Sequence, residues 1–131
     1  MVLHPKEPEK EAGQKARQAY LAIAQQVIGE SALDYTTLYQ RFAQNDWAAI
    51  KLDDSVAAAA LKQGHSPKET ALILHQGPYM QYQVHHQKAP VPAMRQYIKV
   101  TVMQAVQRMR KTRTAQVKSQ GQSVTRDLDL E

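Results

Sequence analysis

Between Asp53 and Gln76 the chain reads DDSVAAAALKQGHSPKETALILHQ, and few folds accommodate that stretch. A run of four alanines and a leucine favours helix, and Gly64 is suited to end it in a left-handed conformation. Ser66 then stands where an N-cap belongs, Pro67 at a first helical position and Glu69 at the capping-box position three residues on. The pattern predicts two helices joined by a tight corner at Gly64-His65. Small side chains let a second backbone approach closely, so the alanine helix, expected over about Asp53–Gln63, is predicted to be central. Asp53 and Asp54 are read as acids at its positive end. The partner helix is expected over Pro67–Gln76, burying some of Ala71, Leu72, Ile73 and Leu74.

The flanking segments carry the same periodicity. Ala16, Ala19, Tyr20, Ile23, Ala24 and Val27 recur at helical steps within an expected helix over Glu9–Ile28, which Gly29 ends. Tyr35, Leu38, Tyr39 and Phe42 suggest a second helix over Thr36–Gln44, closed by Asn45-Asp46, with Trp47 as a partly buried wedge. Gly77-Pro78 breaks the chain again. Tyr79–Gln87 alternates apolar and polar residues as a strand would, but no second strand exists to satisfy its backbone, so a short helix is expected. After Ala89-Pro90-Val91-Pro92 a long helix is predicted over Pro92–Ala115, burying Met94, Ile98, Thr101, Val102, Ala105 and Met109. The expectation is an all-α protein: a small orthogonal bundle of five or six helices in a single domain over residues 9–115. Its long C-terminal helix is expected across the central hairpin, with a flexible arm over 1–8 and a disordered polar tail over 116–131.

With 131 residues the chain can bury one core without metal or disulfides, and it has no cysteine, which excludes disulfides, thiolate-ligated zinc and a cysteine nucleophile. No apolar run reaches the ~18 residues of a membrane span, and MVLHPKEPEKEAG lacks the apolar core of a secretory signal, so a cytoplasmic location is expected. Catalytic signatures are absent: there is no Walker or GxGxxG loop, and capping accounts for Asp53, Asp54 and Ser66. His75, His85 and His86 do not form a zinc pattern, because adjacent histidines on a helix point about 100° apart and no carboxylate completes the set. No catalytic residue, metal or cofactor is expected.

The net charge of +5 has a definite location. Arg95, Lys99, Arg108, Arg110, Lys111, Arg113 and Lys118 lie on or next to the last helix, with no Asp or Glu between Arg95 and Lys118. Arg95, Lys99, Arg110 and Arg113 fall on one side of a helical wheel. With Lys111 they are the candidate contacts to the phosphate backbone of DNA or RNA. A solvated face touching the acidic DLDLE end is the plainer alternative. The second candidate surface, for a protein partner, is Tyr79, Met80, Tyr82, His85 and His86, with the N-terminal helix as another possibility. A helix-turn-helix built on Pro67–Gln76 and Tyr79–Gln87 fits poorly, since Gly77 falls later than the turn glycine of that motif.

The run Asp53-x-x-Val56-Ala57-x-Ala59-Ala60-Leu61-x-x-Gly64-x-Ser66-Pro67-x-Glu69 resembles an accessory helical-bundle segment of plasmid relaxases and of relaxase- or primase-type replication and mobilisation proteins. There a similar aspartate, small-residue helix, Gly-Ser corner and glutamate precede a proline break. A later helix begins near a tyrosine, as Tyr97-Ile98-Lys99-Val100-Thr101-Val102 does. The likeness covers residues 50–106. The relaxase tyrosine nucleophile and three-histidine metal site have no counterpart here. The resemblance therefore implies a non-catalytic accessory domain that works near DNA.

Overall fold

The computed structural model of the chain describes the backbone over residues 7–121 and side chains over residues 13–111. All its regular structure is helical: α1 (Glu7–Ile28), α2 (Tyr35–Phe42), α3 (Asp46–Lys62), α4 (Pro67–Leu74), α5 (Pro78–His85) and α6 (Val91–Gly121). The small helical bundle with a long C-terminal helix is the architecture that the sequence predicts, and Tyr79–Gln87 resolves as helix.

The central position of α3 follows from its side chains. It packs against all five other helices. Ala49, Val56, Ala57 and Ala60 are buried on it, and their small volume permits that many neighbours. Around them close Tyr20, Ile23 and Ala24 of α1, Leu38 of α2, Ile73 and Leu74 of α4, Met80 of α5, and Met94, Ile98, Val102 and Ala105 of α6. Each fully buried large side chain contributes on the order of 1.5–3 kcal/mol by leaving water.

The corner between α3 and α4 forms as expected. Gly64 has φ +100°, and Ser66 and Glu69 make the reciprocal capping box, Glu69 N donating to Ser66 Oγ at 3.1 Å and Ser66 N to Glu69 Oε1 at 2.9 Å. Ser66→Ala is expected to cost about 1 kcal/mol in denaturant unfolding, the usual worth of an N-cap hydroxyl.

Several expectations need correction. The alanine helix begins at Asp46, not Asp53: Asn45 does not close α2 but caps α3, its Oδ1 accepting from Ala48 N at 3.3 Å. Asp53 therefore lies in mid-helix, away from the positive end, and is completely buried. Trp47 is not a wedge: on the first turn of α3 it is 71% exposed, with the Lys51 ammonium 5.1 Å from its ring centre. Val27, placed on the apolar face of α1, is exposed; of the four residues from which α4 was expected to bury some, Ile73 and Leu74 are buried, Ala71 is partly buried and Leu72 is exposed. At the C-terminal end α6 continues past Ala115 to Gly121, so residues 116–121 are helical where disorder was expected. At the N-terminus Glu7 and Pro8 already belong to α1, while the rest of the expected arm and residues 122–131 lie outside the described residues.

Candidate functional site

Two features of α6 are on opposite flanks of its buried stripe. One flank ties the helix to the bundle, and the other carries the charge.

The tie is Tyr97. Its hydroxyl donates to Asp53 Oδ2 at 2.8 Å, and Tyr20 on α1 donates to Asp53 Oδ1 at 2.6 Å. One carboxylate on α3 thus joins α1 and α6. Burial pushes the Asp53 carboxyl up to about 7, the opposing pull of the two hydroxyl donors being smaller, and the neighbouring Asp54 charge adds to the rise. Burial, and then the nearby Asp53, raise Tyr20 and Tyr97 well above the ordinary phenol range. Asp53 is wholly shielded from solvent, and its two bonds connect three helices. It is a structural clasp, and no periodicity in the sequence distinguishes it from a helix-start acid.

The turn between α4 and α5 closes over this clasp. The Gln76 carbonyl accepts from the Tyr35 hydroxyl, and the His75 carbonyl accepts from Gln81 Nε2 at 2.6 Å. Arg17 Nε donates to Gln76 Oε1 at 3.1 Å and Nη2 to Gln81 Oε1 at 3.2 Å, its guanidinium 4.6 Å from the Tyr35 ring centre. Burial pushes the Tyr35 phenol up to about 12. Gly77 lies directly against the Tyr20 ring and Asp53.

The other flank holds the candidate phosphate contacts. Arg95, Lys99, Arg110 and Lys111 are all exposed. Arg95, Lys99 and Arg110 fall within about 60° on the helical wheel, whereas Lys111 projects further round. The Arg113 side chain, like that of Lys118, lies outside the described residues. Beside Arg95 and Lys99 an open groove of about 340 Å³ runs between α4 and α6, lined by Ala71, His75, Ile98, Val102 and Met103 as well as those two cations. Its lining contains no acid. His75 is partly buried there, and burial, followed by the Arg95 charge, lowers its pKa. Sequence periodicity could not show this groove, because it is made by two helices that are distant in sequence.

The residues assigned to a protein partner divide. Met80 is a core residue, 1% exposed, and cannot form a surface. Tyr79 is partly buried with its ring centre 4.8 Å from that of Tyr97, which gives it a folding role. Tyr82 is partly buried and stacks on His86 at 5.1 Å; His85 and His86 are exposed. These five positions therefore do not make one continuous surface. Among the described residues, no group of three histidines or carboxylates could hold a metal ion, and no helix is long and apolar enough to cross a membrane. Comparisons with family models, curated proteins and solved structures find no match for this chain.

Proposed function

We propose that the protein is a non-catalytic, cytoplasmic accessory factor that contacts the phosphate backbone of DNA or RNA through the exposed cationic flank of α6. The observation that carries this reading is the placement of Arg95, Lys99 and Arg110 on one exposed side of a helix that has no acidic residue from Arg95 onward. Such a face displaces condensed counterions from a polyanion without reading base sequence. Tyr97 holds the same helix to Asp53 from the opposite flank, so the charges ride on a fixed support. The resemblance to relaxase accessory segments points in the same direction.

The test is binding of a mixed-sequence duplex and of a single strand at low salt. Arg95→Glu/Lys99→Glu is expected to weaken binding by roughly tenfold or more, as the loss of two phosphate contacts implies. Lys51→Glu/Lys62→Glu, a double reversal on exposed positions of α3 that changes the net charge by the same amount, should have a much smaller effect. Equal losses in the two proteins would show a response to net charge alone and would reject α6 as the interface.

A further inference from the structure

We propose that the groove between α4 and α6 takes one unpaired base of a single-stranded nucleic acid, held between His75 and Arg95, while Lys99 meets a flanking phosphate. The proposal rests on the reading of α6 as a phosphate-binding helix and adds the part of the nucleotide that phosphate contacts leave unused. The groove is built in three rows. Arg95, Lys99 and Met103 stand four residues apart on one exposed ridge of α6. Ile98 and Val102, also four apart, are buried and form the floor. Ala71 and His75, four apart on α4, form the opposite wall. Cations therefore occupy the lip, with apolar surface beneath them.

This lining sorts the occupants. Two cations and no acid select an anion. A volume of about 340 Å³ is at the lower end of the ~300–1,000 Å³ of small-ligand sites, which suits one compact ring system better than a helix of a protein partner. Two planar groups face the groove from different helices, the His75 imidazole and the Arg95 guanidinium, and these are surfaces on which unstacked bases pack. They are close enough for the Arg95 charge to act on His75. An acyl chain would use the floor and neither plane, and an acidic peptide would use the cations and neither plane. A nucleotide uses all of them: its base meets the two planes and the floor, and its phosphate meets the lip. In a duplex the bases are held in the stack, so a duplex is left with the phosphate contacts alone.

Fluorescence anisotropy of the full chain at one low salt concentration tests this with three probes: a mixed-sequence single strand, the same strand with every base replaced by an abasic site, and the duplex. The intact strand is expected to bind roughly tenfold more tightly than the abasic strand, as one stacked base implies. His75→Ala and, separately, Arg95→Lys, which keeps the charge and removes the guanidinium plane, should each weaken the intact strand several-fold and leave the abasic strand and the duplex unchanged. An oligoglutamate of the same charge as the strand should displace it about tenfold less well than unlabelled intact strand does. Equal binding of the intact and abasic strands, intact-strand binding insensitive to His75→Ala, or equal losses for both strands in Arg95→Lys would each overturn the base site while leaving the phosphate reading in place. Oligoglutamate as effective as the strand would make the groove a site for acidic peptides and would also overturn it. No binding of any probe would overturn both readings. Far-UV circular dichroism of each variant checks that the fold is retained.

Discussion

Asp53→Asn is expected to abolish a pH dependence of stability worth roughly 4 kcal/mol, from a folded value of about 7 against an ordinary 3.8 at about 1.36 kcal/mol per unit. The sign follows from proton counting. Between those two values the folded protein holds a proton on Asp53 that the unfolded chain has released. Stability from this group is therefore fully present below pH 3.8 and is lost as pH rises through about 7. Asparagine has the shape of the carboxyl group without its ionisation, and its oxygen can still accept from a tyrosine hydroxyl. Denaturant unfolding of both proteins from pH 4 to 8 gives the test. The wild type should lose stability relative to the variant as pH rises, and parallel curves would show that Asp53 is not the buried titrating group. Glu30, Asp34 and Glu69 have pKa values lowered by Arg41, by Thr37 and by Ser66, and they lose stabilisation only as pH falls. Their contribution is common to both proteins and cancels in the difference.

Gly77→Ala is expected to be the most damaging glycine-to-alanine change among the described residues, costing about 3 kcal/mol, the upper end of the usual range for overpacking a filled core. A Cβ there would stand 2.6 Å from Tyr20 Cε2, 2.7 Å from its Cζ and 2.9 Å from Asp53 Oδ1. None of these atoms can move aside cheaply, because the Tyr20 ring is fully buried and its hydroxyl is bonded to that same carboxylate. Gly64→Ala makes the informative comparison. At φ +100° it strains the backbone by about 1–2 kcal/mol but meets nothing within 4 Å. Chemical denaturation of both variants should rank Gly77→Ala as the more destabilised; the opposite order would mean that the α4–α5 turn is looser than the structure has it.

That ranking shows what the sequence makes legible and what it does not. Local signals were sufficient where the physics is local. The capping box at Ser66–Glu69, the Gly64 corner, the small-residue helix and the buried stripe of α6 depend on residues within a turn or two of each other. Asp53 and Gly77 depend on neighbours far along the chain. Near the expected start of a helix an aspartate reads as a cap, until Asn45 is recognised as the cap and the helix lengthens backward. A glycine before proline reads as a chain break, although its missing side chain is what admits Tyr20. The candidate interface divides in the same way. The charges on α6 are plain in the sequence because they follow one helical wheel. The groove beside them needs α4 to be laid alongside, and the removal of Met80 from any surface needs the packing of α5 against α3.

The most direct test of the proposed α6 interface is the slope of log affinity for duplex DNA against log salt concentration. With Arg95, Lys99 and Arg110 each neutralising a phosphate, the slope should be roughly −3, at about 0.9 per contact, and Arg95→Gln/Lys99→Gln should make it shallower by about 2. Affinity absent at low salt, or a slope that the double substitution leaves unchanged, would contradict the assignment of nucleic-acid contact to this face of α6.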